Sequence, residues 1–346
     1  MKPLLVRKCL IISIILIGSY FFSVSEGSIS KNENQDTKES LSPGDYLCFI
    51  RCDLRIRSYR LHIPPCYTGE NPVPVVFVLH GSGVRKVNSK TMKNYVDMDE
   101  KADEEGFIVV YPNGRRFRYG PYLNRPFVFF MDLFALFTNS KMWNCWDLNN
   151  VDDVEFIKNL IEHLESKLNV NSSRIYISGI SGGGCMTHRL GAELSDKVAA
   201  IAPVAGSIGG VWFVSEPDDS KIYTIPEPTQ SLPVIVLHGM NDEPVPYEGG
   251  WNFVFKIGLL EAWMYFISVN QSVSFWVEQN NCDKIPQINI SESGRIIIRT
   301  YSNGCNNSEV VLVTYVDGRH EWFQTPRYEI SATDLMWEFF EKHTKD

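Results

Sequence analysis

Short apolar, β-branched runs alternate with helical patterns along most of the chain. Such runs predict buried strands, and they occur at 59–63, 75–79, 108–111, 174–178, 199–202, 234–237, 296–300 and 310–315. Helical spacing is clearest at 152–168, where Asp152 stands in the N-cap position. Another helix is predicted after Ser331, which stands three residues before Asp334. The alternation predicts an α/β fold, with a mostly parallel central sheet and helices on both faces.

Two long apolar segments do not read as strands. Residues 115–146 and 251–268 are rich in aromatic side chains, and charged residues such as Asp132 and Lys256 interrupt them. These charges argue against a membrane span. We expect helices that pack on the core, and the alternative is a lid or wall over a pocket.

The N-terminal segment has the pattern of a secretory signal peptide. Residues 1–27 begin with basic residues, continue with an apolar run and end with small residues. The alternative is an uncleaved anchor, but the apolar run is shorter than the roughly 20 residues that cross a bilayer. Residues 28–44 are polar and aperiodic, which is typical of a disordered arm. Residues 45–346 are predicted to form a single α/β domain, and the mature chain to have no stable membrane span.

Composition and charge exclude several classes of protein. Of the 346 residues, 44% are hydrophobic and 12% aromatic, which is enough to bury a large core and excludes a wholly disordered or collagen-like chain. The net charge of −8 provides no basic field for a phosphate backbone, so we expect no nucleic-acid partner. A small neutral or apolar substrate fits this charge better.

The strongest local motif is a Gly-x-Ser-x-Gly sequence at 179–183, which follows an apolar strand and precedes a helical pattern. In this setting a serine lies on a sharp strand-to-helix turn with its hydroxyl exposed. Ser181 is therefore the candidate nucleophile. A serine hydroxyl needs an imidazole to accept its proton and a carboxylate to orient that imidazole.

The expected chain order after such a serine is acid, then histidine. Asp242 follows the strand at 234–237, and His320 follows the last strand. Serine, acid and histidine thus each follow the carboxyl end of a strand, where open α/β sheets place their sites. Neighbouring carboxylates at Glu243 and Asp317 stay open as alternatives, and His238 is the main rival to His320, although it precedes the acid.

Ester chemistry also needs amide donors for the developing oxyanion. The amide after the nucleophile belongs to Gly182, and an early strand ends in His-Gly-Ser-Gly at 80–83. We predict that the amide of Ser82 is the second donor. A nucleotide site is not expected, because a third glycine and a Gly-Lys-Ser/Thr sequence are both missing.

If the chain is exported into an oxidising compartment, disulfides are expected among its cysteines. Eight cysteines are present, and seven remain after removal of the signal peptide, so one thiol is left over. No spacing suggests a zinc site, and we expect no metal. Pairing stays open for Cys48, Cys52, Cys66, Cys145 and Cys185. Four sequons are candidate glycosylation sites, at Asn171, Asn270, Asn289 and Asn306.

The motifs from about Arg57 to His343 resemble one known family. They include RSYRLHIP, VVFVLHGSG, NCWDLNNVDDVEFI, RIYISGISGGGCMTHRL, LHGMNDEPVPYEGG, GRHEW and ATDLMWEFF. Together they resemble secreted α/β-hydrolases described as polyhydroxybutyrate depolymerase-like and feruloyl esterase-like, related to carbohydrate esterase family one.

The resemblance implies an α/β-hydrolase catalytic domain with Ser181 as nucleophile, Asp242 as acid and His320 as base. It also implies an oxyanion amide after His80-Gly81 and a disulfide between Cys282 and Cys305. The sequence departs from the family at Cys185 and Arg319 and in the aromatic insertion, so the resemblance leaves the choice of substrate open.

These observations predict a secreted serine carboxylic ester hydrolase that works through an acyl-enzyme and needs no cofactor. We favour a feruloyl or acetyl esterase acting on plant polysaccharide, with Trp143, Trp146 and Trp322 as aromatic contacts for the substrate. The alternatives are a polyhydroxybutyrate depolymerase acting on a polyester chain, a peptidase of the same fold, and a non-catalytic secreted binding protein on a hydrolase scaffold. The sequence does not predict an oligomeric state.

Overall fold

The structure is a computed structural model that describes residues 41–52, 55–82, 87–116, 141–146, 151–214, 216–257 and 260–345. All of them belong to a compact unit, Lys38–Asp346. The predicted signal peptide and most of the predicted arm lie outside the described residues. The first strand begins at Gly44, one residue before the predicted start of the domain.

The unit contains both helices and strands. The described helices are α1 (Ser89–Lys93), α2 (Met98–Glu105), α3 (Asp153–Lys167), α4 (Gly182–Glu193), α5 (Val269–Gln279) and α6 (Ala332–Phe340). The described strands are β1 (Gly44–Cys52), β2 (Arg55–Ile63), β3 (Val73–Leu79), β4 (Ile108–Pro112), β5 (Arg115–Arg116), β6 (Lys141–Met142), β7 (Val170–Ile180), β8 (Ala200–Val204), β9 (Gly209–Val214), β10 (Tyr223–Thr224), β11 (Val234–Gly239), β12 (Gly250–Ile257), β13 (Leu260–Phe266), β14 (Gln287–Ile290), β15 (Ile296–Tyr301) and β16 (Val310–Tyr315).

Ten strands form the central sheet, in the order β1-β2-β4-β3-β7-β8-β11-β16-β15-β14. In this order, the six consecutive strands β4-β3-β7-β8-β11-β16 are parallel to one another, which confirms a mostly parallel sheet. The predicted strands at 59–63 and 296–300 are present, but both pair antiparallel with their neighbours, so parallel pairing is wrong for them. Buried and partly exposed positions alternate along β2, which is typical of an antiparallel strand near an edge.

The core lies on both faces of this sheet. Along β3, Phe77 and Leu79 face one cluster of buried side chains, and Val76 and Val78 face the other. Apolar residues of α3, α4 and α5 belong to the first cluster, and those of α1, α2 and α6 to the second. Helices therefore cover both faces, as predicted.

The two predicted helices begin where their caps indicated. The Asp152 side chain accepts a hydrogen bond from the Glu155 amide at 2.8 Å, at the start of α3. The Ser331 hydroxyl accepts one from the Asp334 amide at 3.0 Å, at the start of α6. Each side chain satisfies an amide that has no partner within its helix.

The prediction of a helix at 251–268 is wrong, because most of this segment forms a β-hairpin. Strands β12 and β13 pair antiparallel and join β9 and β10 in a separate four-stranded sheet. Ala262 and Phe266 are buried on one face, whereas Trp263 and Tyr265 are partly exposed on the other. This period of two, together with the β-propensity of aromatic residues, explains the strand.

The other insertion falls largely outside the described residues, which omit 117–140. Its two ends meet as the short antiparallel pair of β5 and β6. Residues 142–146 are buried next to the core. Within the described part of the chain, no helix has the length and apolar character needed to cross a membrane.

Candidate active site

Ser181 occupies the sharp turn between β7 and α4. Its backbone has φ 60° and ψ −123°, a strained region for a residue other than glycine. The turn is held by hydrogen bonds from the Ser181 amide to the Val204 carbonyl at 3.0 Å and from the Cys185 amide to the Ser181 carbonyl at 2.8 Å. Such a turn presents a serine side chain above the end of the sheet, as the motif predicted.

Glycine at 183 allows this turn to pass close to β3. A Cβ atom at Gly183 would lie 2.4 Å from the Leu79 carbonyl oxygen and 2.6 Å from that of His80. No side chain fits at those distances. The glycine therefore lets α4 start directly against the end of β3.

Asp242 and His320 are joined by a hydrogen bond. The His320 Nδ1 atom lies 2.8 Å from Asp242 Oδ2 and 3.0 Å from Oδ1. The Asp242 side chain is fully buried, whereas that of His320 is 21% exposed. An imidazole held this way points its Nε2 atom away from the carboxylate.

The loops that carry these two residues are also bound to each other through the backbone. The Met240 amide donates to the Tyr315 carbonyl at 3.0 Å, and the Asn241 amide to the Gly318 carbonyl at 2.9 Å. Both loops follow the carboxyl ends of paired parallel strands, β11 and β16. The turn at Ser181 follows β7 at the same edge of the sheet, with β8 between β7 and β11.

Among the described residues, the hydrogen bonds of the His320 ring are made by Nδ1, and both go to Asp242. The described contacts therefore join the acid to the histidine, but they do not include a bond between the histidine and the serine. In proteins without substrate such bonds are often long and shorten only in the complex.

A second histidine lies against the same carboxylate. His238 Nε2 is 2.9 Å from the Val245 carbonyl oxygen, to which it donates, and 3.3 Å from Asp242 Oδ2. His238 is the alternative to His320 as the catalytic base. The His238 ring is fully buried, however, and lacks the access to solvent that the His320 ring has. No sequence motif indicated that it would support the acid.

Hydrogen bonds keep Asp242 ionised. Burial alone raises the pKa of this carboxyl, but hydrogen bonds from His238 and His320 outweigh burial and lower the pKa to about 2. The Val245 amide also donates to Asp242 Oδ1 at 2.8 Å. The rival carboxylate Asp317 instead pairs with Arg295 at the surface.

The His80 ring fixes the loop after β3. It is fully buried, its Nδ1 lies 2.7 Å from the Gly81 carbonyl oxygen, and its Nε2 accepts from the Gly114 amide at 3.0 Å. Burial lowers the pKa of His80 to about 4, so the ring is neutral near pH 7. The Trp143 indole NH donates to the His80 carbonyl at 2.8 Å. The sequence did not predict a role for this ring.

The two predicted oxyanion donors are neighbours. A Cβ atom at Gly182 would lie 3.2 Å from the Ser82 amide nitrogen and 2.2 Å from the Ser82 hydroxyl oxygen. A Cβ atom at Gly81 would lie 3.3 Å from the Ser181 Cβ. The loop at 80–82 thus runs beside both Ser181 and Gly182.

The three tryptophans predicted to contact substrate are enclosed by protein. Trp143 and Trp146 are 1% exposed and Trp322 is 2% exposed. Trp146 packs against Trp212 and Phe266, and the Trp322 indole NH donates to the Thr333 hydroxyl at 3.0 Å. Their rings are covered by protein, so the structure does not support the predicted stacking of these residues on substrate.

No disulfide joins the cysteines of the described residues, so the disulfide between Cys282 and Cys305 is not formed in the structure. Cys282 nevertheless lies close to the chain at Cys305, because a Cβ on Gly304 would be 2.7 Å from its sulfur. Three of the predicted glycosylation sites, Asn270, Asn289 and Asn306, are exposed, and Asn171 is half-buried.

One cluster among the described residues has the composition of a metal site. The ligand atoms of Asp45, His62 and Asp99 lie within 4.8 Å of one another. The Lys93 ammonium, however, pairs with both carboxylates, and His62 also bonds Asp103. An ammonium already supplies the positive charge, so the cluster reads as a network of ion pairs.

Sequence comparison finds fungal esterases. The chain is 26% identical over 272 residues to feruloyl esterase B of Piromyces equi, covering 76% of this chain and 42% of that protein. It is 24% identical over 287 residues to a probable feruloyl esterase C of Aspergillus niger, covering 82% and 83%. A bifunctional acetylxylan esterase/xylanase of Neocallimastix patriciarum is 22% identical over 175 residues, covering 51% and 20%. The chain thus spans less than half the length of two of these relatives. No protein-family model matches it.

Solved structures share the fold. A thermostable esterase superposes with a TM-score of 0.51 at 17% identity, covering 87% of this chain and 63% of that one. A putative dipeptidyl aminopeptidase IV from Bacteroides ovatus superposes with a TM-score of 0.54 at 13% identity, covering 87% and 36%. The predicted α/β-hydrolase fold is confirmed, and the relatives named feruloyl and acetylxylan esterase agree with the family that the motifs resemble.

Proposed function

We propose that this protein is a serine carboxylic ester hydrolase that acts on feruloyl or acetyl esters of plant polysaccharide. The observation that carries the proposal is the bond between Asp242 and His320 at the sheet edge where Ser181 occupies a strained strand-to-helix turn. The feruloyl and acetylxylan esterases among its relatives support the ester and the polysaccharide.

In the proposed reaction the Ser181 oxygen attacks the ester carbonyl while His320 Nε2 takes the serine proton. Asp242 holds the Nδ1 proton of His320 and stabilises the imidazolium that forms. The Gly182 and Ser82 amides bind the oxyanion of the tetrahedral intermediate.

The second half of the reaction regenerates the enzyme. The alkoxide leaves with the proton from His320, and an acyl ester remains on Ser181. Water then attacks this ester with His320 as base, and the acid product departs. Both half-reactions use only residues of this chain, and we expect them to proceed without a cofactor.

We further propose that the protein is exported, as the N-terminal pattern predicts. In an oxidising compartment Cys282 and Cys305 would form a disulfide, and the exposed sequons would be available for glycosylation. The approach of Gly304 to the Cys282 sulfur supports this pairing.

The first test combines a general ester with a probe for an active serine. Incubation with p-nitrophenyl acetate and a fluorophosphonate is expected to give release of p-nitrophenol and a label on Ser181, and S181A is expected to lose both. If the wild-type protein shows neither turnover nor label, it is a binding protein on a hydrolase scaffold and the proposal fails.

A substrate panel then separates the ester classes. We expect turnover of methyl ferulate or acetylated xylan to exceed that of short hydroxybutyrate oligomers. The reverse order would identify a polyester depolymerase, and turnover of peptide amides would identify a peptidase.

A further inference from the structure

The hydroxyl of Ser82 is a buried polar group that makes no hydrogen bond to the described residues. Its oxygen is shielded from solvent and has no hydrogen-bond partner within the part of the chain that the structure describes. A buried hydroxyl left without a partner pays the cost of its lost hydration without a compensating hydrogen bond. Such groups are rare and call for a physical reason, for instance a ligand that satisfies them only when bound.

The position of this hydroxyl supplies the reason. Its oxygen lies beside the Cα atom of Gly182, because a Cβ built there would meet it at 2.2 Å. In the same loop, Gly81 packs against the Cβ atom of Ser181. The hydroxyl is therefore next to the residue that follows the candidate nucleophile, on a loop that also contacts the nucleophile itself.

The surrounding bonds keep Ser82 in this place. The His80 ring bonds the Gly81 carbonyl and the Gly114 amide, and the Trp143 indole bonds the His80 carbonyl. The segment before Ser82 is thus fixed by three hydrogen bonds. A donor that is fixed before the reaction needs no reorganisation during it, which is the property that makes oxyanion stabilisation effective.

We propose that the Ser82 hydroxyl donates a third hydrogen bond to the oxyanion, beside the amides of Ser82 and Gly182. The inference rests on the proposed function and adds one catalytic side chain to it. The hydroxyl proton points to the oxygen of the ester carbonyl as negative charge develops there, and no covalent bond to Ser82 forms or breaks. Because the hydroxyl would form this hydrogen bond only in the transition state, the bond would raise kcat and leave KM nearly unchanged.

The decisive variant is S82A, which keeps the backbone amide and removes only the hydroxyl. With p-nitrophenyl acetate we expect kcat to fall on the order of 10²-fold, with little change in KM. Labelling by the fluorophosphonate should slow in parallel, because the phosphonyl oxygen occupies the same position as the oxyanion.

Stability separates this role from a structural one. Since the hydroxyl has no partner among the described residues, S82A is expected to keep or raise Tm. The matched control is S178A, which removes a buried hydroxyl that donates to the Ala202 carbonyl at 2.7 Å. S178A should lower Tm and leave kcat close to the wild-type value.

Two results would overturn the inference: an unchanged kcat in S82A, or a loss of Tm in S82A that matches the loss in S178A. Neither result touches the proposed function if the wild-type protein is labelled on Ser181 and hydrolyses the ester. Conversely, absence of label and turnover in the wild type rejects the function itself.

Discussion

The His320 ring is held at Nδ1 by Asp242, at 2.8 Å from Oδ2. The Asp242 carboxylate is fully buried and the His320 ring is partly exposed. The carboxylate can therefore orient the ring while the ring remains accessible to a substrate. This division of roles is what nucleophilic catalysis by a serine requires.

Replacement of the acid tests this relationship. D242N keeps the shape of the side chain but removes the negative charge that stabilises the imidazolium and selects its tautomer. We expect kcat for p-nitrophenyl acetate to fall by about 10³–10⁴-fold. The control is D317N, which changes the exposed rival carboxylate paired with Arg295 and should retain full activity. Loss of activity in D317N with retention in D242N would reassign the acid.

The same carboxylate should also affect stability in acid. In the folded protein the pKa of Asp242 is about 2, below the value of roughly 3.9 for an unfolded chain, because hydrogen bonds outweigh burial. Its contribution is present above pH 4 and is lost as pH falls through 2. The difference corresponds to about 2.5 kcal/mol. Urea unfolding between pH 5 and pH 2 should show this loss in the wild type and a shallower slope in D242N; equal slopes would contradict it.

The buried ion pair between Arg57 and Asp153 gives a prediction for stability. Arg57 Nη2 lies 2.7 Å from Asp153 Oδ1, and Asp153 Oδ2 accepts from the Asn144 amide at 2.8 Å. D153A leaves a buried guanidinium without its partner, so we expect unfolding by urea to show a loss of about 3–5 kcal/mol.

Two comparison variants sharpen this prediction. Replacing both partners, as R57M with D153L, removes the unpaired charge and should recover much of the loss. R295A, which breaks an exposed pair with Asp317, should cost less than about 1 kcal/mol. A loss in D153A as small as that in R295A would contradict the prediction.

His62 links the first strand to α2 and should respond to pH in the opposite direction. Burial lowers the pKa of His62, but hydrogen bonds to Asp45 and Asp103 raise it by more than burial lowers it. The pKa of His62 is therefore higher in the folded protein than in the unfolded chain. Its contribution is present below about pH 6.5 and is lost as pH rises through the folded pKa.

The effect of His62 is small because both carboxylates are exposed to solvent. We expect less than about 1 kcal/mol. Urea unfolding of the wild type and H62Q between pH 6 and pH 8 should show the decline only in the wild type. NMR titration of the His62 ring gives an independent check, and a midpoint below 6.5 would contradict the prediction.

Local pattern was sufficient for most of the elements. The strand at 75–79 and the helix at 152–168 follow from the period of their apolar residues and from the Asp152 cap. The hairpin at 251–268 was missed because its aromatic residues satisfy a helical face as well as an alternating one. Pairing with β9, which the sequence does not display, decides between the two.

The sequence by itself determined the fold class and the candidates Ser181, Asp242 and His320, because a tight glycine turn and the order of strand ends are local properties of the chain. Only the tertiary structure decided which side chains surround them. It placed His238 against the carboxylate, fixed the His80 loop and buried the predicted tryptophans, and it left the Ser82 hydroxyl without a partner among the described residues. These relationships join residues that lie on separate strands and loops, and their distances depend on how the sheet brings its strands together.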